Sequence, residues 1–472
     1  MKIKFCGAAQ NVTGSQHLIT LNGKKILLDC GMFQGKREES FKMNRHFIYE
    51  PSDIDAVILS HAHIDHAGNL PTLKTKGFEG NIYCTNATRD LCSIMLQDSA
   101  YIQEKDVEFV NKKRAKQHLP LFNPLYKIQD AVAVLKQFRS FDYEQSFAPD
   151  AVKEELSVKF TDAGHILGSA QVVLTVNQNG KEIKIGYTGD LGRKNLPILK
   201  DPGFMGDVDY LLMESTYGAR LHENAEMMES ELIAALQEAV AMKAKIIVPS
   251  FSVGRTQELI YEITKLFDKK IIPEFPVFVD SPLTVNATEI FKLHPECFDT
   301  ETSTLLANGV NVFGLDNVLY IKDVEESKKL NAVKGPCMIV SASGMCEAGR
   351  ILHHLANNID NPNTMIIVIG YMAQNTLGRR IVDLKDTPGS KVKIFGEEHK
   401  LNSKVRVLNA FSAHADQKEL IDNVKLFDKN KLKKIFLVHG ENSQQLTLKD
   451  VLAQNGYNNV FIPALGDEFE LN

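Results

Sequence analysis

What this chain lacks narrows its class before any motif is read. No stretch reaches the roughly 18–20 uninterrupted apolar residues of a membrane span, and the opening Met1-Lys2-Ile3-Lys4-Phe5-Cys6-Gly7 lacks the longer apolar core of a signal peptide. These absences lead us to expect a cytoplasmic protein with no membrane partner. The seven cysteines are odd in number, scattered, and contain no Cys-x-x-Cys pair, so reduced buried thiols fit better than a disulfide framework. Positive charge is in short supply too. A net charge of −5 and a pI near 6.3 exclude nucleic-acid binding through overall charge, so a polyanionic substrate would have to be drawn in by local cations or metals. Low-complexity runs are absent, and 44% hydrophobic with 24% charged residues is an ordinary globular balance. At 472 residues the chain has room for about two to three domains.

What is present centres on six residues, His61-Ala62-His63-Ile64-Asp65-His66. The preceding run 55–60 is short, apolar and β-branched, which predicts a buried strand with the His/Asp group on the loop at its carboxyl end. Catalytic groups collect on such loops. An alternating His-x-His can point two imidazoles at one ion while Asp65 and His66 turn to a second position, and imidazole with carboxylate is a ligand set that suits zinc. The bland alternative is a polar turn, but no opposite charges are at hand to satisfy four such side chains.

Along the chain, 3–9, 15–21 and 24–29 read as strands, with Asn22-Gly23 as a two-residue hairpin turn. Helices are expected over 69–76 and 88–103, and a strand over 80–85. The polar section 105–145 carries Lys112, Lys113, Arg114 and Lys116; a solvated helix face is its default reading, ahead of a nucleic-acid contact. A strand over 156–163 delivers His165 between glycines, and a hairpin closed by Asn179-Gly180 ends at Thr188-Gly189-Asp190. The strand 210–214 ends in Glu214. From there helix and strand alternate, and the strands near 245–249, 276–280, 336–341 and 364–371 are almost wholly apolar, as in a parallel sheet covered on both faces. Strand-like segments return at 392–395 and 404–408, followed by Phe411-Ser412-Ala413-His414-Ala415-Asp416 and then by Leu437-Val438-His439-Gly440-Glu441.

The pattern His-x-His-x-Asp-His resembles the second signature of the metallo-β-lactamase superfamily of hydrolases, and the Asp29-Cys30-Gly31, Gly164-His165 and Gly189-Asp190 contexts resemble its other signatures. Glu214 in Glu-Ser-Thr-Tyr-Gly, His414 in Phe-Ser-Ala-His-Ala-Asp and His439 in Leu-Val-His-Gly-Glu are similar to motifs A, B and C of the β-CASP branch, the nucleases of RNA processing. This resemblance implies an α/β fold: a metallo-β-lactamase αββα sandwich with an inserted parallel-sheet β-CASP domain. We expect the first domain over 1–217, the insertion over 218–384 and the return over 385–472.

Carried over residue by residue, the resemblance implies two zinc ions per chain. His61, His63 and His165 would hold one, Asp65, His66 and His439 the other, with Asp190 between them and Asp29 supporting the ligand loop from behind. The implied function is hydrolysis of phosphodiester bonds in single-stranded RNA by a hydroxide shared between the metals, internal cleavage being the favoured mode. Asp65, Glu214 and His414 are the catalytic candidates, His414 as the acid that protonates the departing oxygen and Glu214 as its support. The alternatives are a DNA nuclease or other ester hydrolase on the same fold, and a silent RNA-binding scaffold; every ligand position is filled, which disfavours the last. A homodimer is compatible with all of these.

Two strand-to-helix junctions are candidate phosphate grips lining the cleft implied by the resemblance: Ser250, Ser252 and Arg255 in the first, Ser343, Gly344 and Arg350 in the second. The alternative is that the glycines permit tight packing and the arginines are structural. A third, weaker candidate is 374–379.

Overall fold

The strands of this chain sort into three main sheets whose carboxyl ends carry the residues singled out above. The computed structural model describes every residue except 36, 179, 223–224, 315–316, 371, 373–374 and 409–411. Asn179 of the hairpin turn, Tyr371 at a strand end, Gln374 and Phe411 of motif B therefore lie outside the described residues. The chain forms two compact units: 1–194, 201–221 and 414–472 make the first, 195–200 and 222–413 the second.

In the first unit, two seven-stranded sheets stack through one core. Ile3, Phe5, Ile26, Leu28 and Ile58 of one sheet meet Val158, Phe160, Val172, Leu174, Ile185, Leu212 and Phe436 of the other. The apolar alternation of these strands follows from the two-residue period, which sends every second side chain inward. Asn22 (φ +49°) and Gly23 (φ +83°) both take left-handed conformations, as a tight hairpin turn between His17–Leu21 and Lys24–Leu28 requires. Helices Gln417–Val424 and Asn442–Gln454 cover the outer face of the second sheet through Leu420, Val424, Leu448 and Leu452. On the other side, Asn86–Lys116 packs with Ile128–Val134 and with the strands Asn81–Thr85 and Phe138–Phe141. The result is the αββα sandwich. The strands Lys181–Tyr187, Tyr210–Glu214 and Lys434–Val438 run parallel, so all three deliver their carboxyl ends to the same edge.

The second unit is built on a six-stranded sheet whose pairings are all parallel. Helices Ala225–Ala241 and Arg255–Asp268 bury one face against Ile246 and Val248. Helices Arg350–Asn358 and Leu377–Asp383 bury the other against Ile247, Ile366 and Val368.

The first compact unit resumes at His414, and Lys404–Leu408, in the stretch expected to return to the first domain from 385, pairs in parallel with Thr364–Ile369 and extends the second unit's sheet. Lys391–Ile394 and Glu397–Lys400 form a separate hairpin within that unit. The helix expected over 88–103 runs instead from Asn86 to Lys116, since 101–116 holds neither proline nor glycine and Lys112 pairs with Glu108 one turn earlier. All seven cysteines are free and buried. Among the described residues, no helix is long and apolar enough to cross a membrane.

Candidate metal centre

Nine of the residues identified from sequence meet at the strand ends of the first unit. His61, His63, Asp65 and His66 follow the strand Ala56–Ile58, and His165 follows Leu156–Asp162. Asp190 follows Lys181–Tyr187, Glu214 closes Tyr210–Glu214, His439 follows Lys434–Val438, and His414 lies beside them, its ring centroid 4.5 Å from that of His165. Three donor groups emerge, His61/His63/His165/Asp190, Asp65/His66/His439 and, sharing Asp190 with the first, Asp190/Glu214/His414.

The first group has the dimensions of a tetrahedral site. His63 Nδ1 lies 3.1 Å from His61 Nε2 and 3.3 Å from His165 Nε2. Asp190 Oδ2 lies 3.6 Å from both His61 Nε2 and His165 Nε2. Zinc–nitrogen bonds of about 2.0–2.1 Å in a tetrahedron put neighbouring ligands about 3.3–3.4 Å apart, so these four atoms enclose a space of the right size. In the second group, Asp65 Oδ2 lies 3.4 Å from His439 Nε2. Asp190 Oδ1 lies 3.2 Å from His66 Nε2, yet neither atom makes a well-directed hydrogen bond among the described residues. One Asp190 oxygen thus faces each of these two groups. These residues fit a pair of metal ions.

Supporting contacts fix which nitrogen faces inward. Asp29, wholly buried with φ +58°, accepts hydrogen bonds from Ser60 N (2.7 Å), Ser60 Oγ (2.8 Å), Tyr187 OH (2.7 Å) and His66 Nδ1 (2.7 Å). His66 Nε2 is thereby turned to the centre. Ser60 Oγ, its proton given to Asp29, accepts from His61 Nδ1 at 3.0 Å, which leaves His61 Nε2 inward as well. Ser15 Oγ lies 2.9 Å from Tyr187 OH, and Thr216 Oγ1 lies 3.1 Å from His439 Nδ1. Gly31 is required here: a Cβ would sit 1.6 Å from the Asp65 carbonyl oxygen. Tyr187, Ser60, Ser15 and Thr216 were not identified from the sequence. The one available signal was that Tyr187 and Ser60 directly precede motifs.

Charge is arranged around the same point. Burial, reinforced by the neighbouring His66, drives the His61 pKa well down, and burial brings His63 down to about 4. Both are neutral near pH 7, the form in which imidazole offers a lone pair. Burial also opposes charge on His66, but the carboxylates of Asp190 and Asp29 outweigh it and raise that pKa well above the ordinary value. Burial opposes charge on Asp65 and Asp190, yet the surrounding histidines lower both, Asp65 to about 2. Such a buried anionic pocket calls for cations.

Glu214 is engaged differently. Its Oε1 accepts from Leu191 N at 2.7 Å and lies 3.2 Å from His414 Nδ1, while Oε2 accepts from Thr216 N at 3.3 Å. Burial lowers the His414 pKa, but Glu214 first, then Asp190 and Asp65, raise it to about 9.

The phosphate-grip candidates lie in the second unit. Ser250 N donates to Ser341 O at 3.0 Å, and a Cβ on Gly344 would meet the Phe251 ring at 2.7 Å, so the two junctions pack together. Ser343 Oγ accepts from Glu347 N at 3.0 Å, and Ser252 Oγ lies 3.4 Å from Ser281 Oγ. Buried Arg255 pairs with Glu258. Arg350 donates from Nη1 to Asp280 Oδ1 at 2.6 Å and from Nη2 to Lys322 O at 2.6 Å. Both guanidinium groups are tied to the unit's own acceptors, the structural alternative weighed from the sequence.

An αββα sandwich with histidine and aspartate ligand groups at its strand ends defines a metal-dependent hydrolase of the metallo-β-lactamase type. Three family models match: the metallo-β-lactamase superfamily over 11–115, the Beta-Casp domain over 256–381, and the Zn-dependent metallo-hydrolase RNA specificity domain over 398–463. A ribonuclease of Thermus thermophilus is 34% identical over 97% of this chain and 97% of its own. An RNase J-like protein of Methanocaldococcus jannaschii is 31% identical over 98% of each chain. A transcription termination factor of the same archaeon is 28% identical over 98% of this chain and 70% of its own. Among solved structures, a protein of unknown function from Enterococcus faecalis shares the fold, with a TM-score of 0.55 and 14% identity over 100% of this chain and 99% of that one. The chain belongs to the β-CASP family of the metallo-β-lactamase superfamily, and is a zinc-dependent hydrolase of that type.

Proposed function

We propose that this protein is a two-zinc ribonuclease that hydrolyses phosphodiester bonds within single-stranded RNA. The observation that carries the reading is the division of donors: Asp190 Oδ2 faces the His61/His63/His165 group and Oδ1 faces His66, while the separate pair Glu214–His414 stands 3.9 Å from Asp190. The ribonuclease names of two relatives and the RNA specificity domain favour RNA as the substrate.

Bound by these donors, two zinc ions would supply activated water near neutral pH and offset the charge that builds on the phosphorus oxygens. The chain's own residues do the rest. Asp29 holds the His66 ring, and Ser60 holds His61, so that the Nε2 atom of each is aimed at the centre before substrate arrives. His414 carries a proton near pH 7 because Glu214 faces its Nδ1, and its Nε2 proton goes to the departing ribose oxygen. Glu214 keeps its position through the amides of Leu191 and Thr216, as a support for the His414 ring requires.

The test is elemental analysis of the purified protein, followed by incubation with labelled RNA and DNA of equal sequence. About two zinc ions per chain and cleavage of RNA to 5′-phosphate and 3′-hydroxyl ends are expected. Cleavage of DNA alone would assign the site to a DNA nuclease, and metal binding without any cleavage would leave a scaffold.

A further inference from the structure

The helix Asn86–Lys116 is far longer than the sandwich needs. At about 1.5 Å per residue it spans about 46 Å, whereas the strand that feeds it, Asn81–Thr85, covers about 17 Å. Its buried residues, Ala87, Thr88, Leu91, Cys92, Met95, Leu96 and Ala100, all fall in the first half. From Tyr101 onward no helix residue is buried. The following segment folds back on this overhang: Asn111 Nδ2 donates to Phe122 O at 2.9 Å, Phe122 N donates to Asn111 Oδ1 at 2.9 Å, and Arg114 Nε donates to Pro120 O at 2.6 Å. The base of the helix is fixed beside the metal centre, since Thr85 Oγ1 and Thr88 Oγ1 both donate to the carbonyl of Gly168, three residues from His165.

This arm has the composition the rest of the chain withholds. Across 101–127 stand Lys105, Lys112, Lys113, Arg114, Lys116 and Lys127 against Glu104, Asp106 and Glu108, a local net charge of +3 in a protein of net charge −5, with five of those cations between Phe109 and Lys127 and no acid among them. The same surface exposes rings: Phe109 is 62% exposed and Tyr101 52%. Cations lie over rings of this surface, Lys113 Nζ 4.6 Å from the Phe109 centroid, Lys105 Nζ 5.8 Å from that of Tyr101 and Arg114 4.2 Å from that of Phe122. Ring and cation are thus presented to solvent as pairs. A hydrophobic protein partner would be met by the rings but opposed by five desolvated charges. A single nucleic-acid strand uses both, bases on the rings and phosphates on the cations.

We propose that residues 101–127 form an arm that binds single-stranded RNA outside the metal centre, holding a substrate segment remote from the bond that is cut. This inference rests on the RNA reading above. Full-length zinc-loaded protein and the variants Phe109→Ala and Lys112→Ala/Lys113→Ala/Lys116→Ala are titrated with a fluorescent single-stranded RNA of about 20 nucleotides, its linkages phosphorothioate so that it survives the experiment. Metal content and unfolding midpoint check that each variant is intact. Loss of one stacking ring should weaken binding about 5- to 100-fold. The triple change should make the slope of log affinity against log salt shallower by about two. If wild type and variants bind equally, with the same slope, the arm is only a solvated helix end and the RNA reading survives. If the wild type binds no RNA, both fall. A change of sedimentation mass in the variants, with RNA affinity unchanged, would reassign the arm to contact between copies of the chain.

Discussion

At the scale of single residues, the donors proposed to hold metal and the Glu214–His414 pair proposed to move a proton should respond differently to substitution. His414→Ala should leave zinc content unchanged and lower RNA cleavage by about 10²–10⁴-fold, because the Glu214–His414 pair stands beside the other two donor groups and Glu214 is held by backbone amides. Adding Glu214→Ala should then cost little further activity, as expected of residues acting as one unit. A 3′-thio linkage, whose sulfur leaving group needs no proton, should restore much of the rate. Emptying of a metal position in His414→Ala, measured by elemental analysis, would overturn the assignment. Tyr187 supplies a second test. Its hydroxyl links Ser15 to Asp29, and Asp29 orients His66. Tyr187→Phe should therefore weaken metal binding about 10- to 100-fold, read by competition with a chromophoric chelator, without emptying the core of its ring.

At the scale of elements, the second unit depends on a buried polar cluster at its strand ends. Asp280 follows Val277–Val279, is fully buried, and meets Arg350 Nη1 at 2.6 Å and His354 Nε2 at 2.7 Å. Burial alone would raise the Asp280 pKa, but hydrogen bonds from His354, Ser327 and Arg350 prevail and lower it. A carboxyl whose folded pKa is depressed adds stability that is present above the unfolded value of about 3.9 and is lost as pH falls through the folded value. Acid should accordingly destabilise this unit below about pH 4, and Asp280→Asn should flatten that dependence, as thermal unfolding at stepped pH would register. Arg350→Ala leaves the Asp280 charge without its guanidinium partner, and should cost about 3–5 kcal/mol. Chemical denaturation measures it. A loss of RNA affinity with unchanged stability would return Arg350 to the phosphate grips.

At the scale of the whole molecule, the candidate metal groups and His414 all belong to the first unit. Ligand that binds only the folded state stabilises it by about 2.7 kcal/mol at a hundredfold excess over its dissociation constant. Chelation should therefore speed amide exchange in the sandwich strands around 56–58, 181–187 and 434–438, and leave exchange in 245–249 and 337–341 of the other unit little changed. Hydrogen exchange read by mass spectrometry with and without chelator separates the two.

The strands, turns and candidate ligand loops are legible in the sequence because those signals are local, and the αββα sandwich is what the family resembled by those motifs implies. A strand period of two, an Asn-Gly turn and a His-x-His-x-Asp-His loop are set by residues a few positions apart. Tertiary structure decided what depends on long-range pairing. Lys404–Leu408 reads as a strand in either domain, and only its hydrogen bonds to Thr364–Ile369 put it in the insertion. Arg350 reads from the sequence as a phosphate grip with a structural cation as the alternative, and only the fold brings it against Asp280, seventy residues away in sequence. Tyr187 and Ser15 carry no motif of their own, and acquire their place behind His66 only when strands from distant parts of the chain bring Asp29 between them.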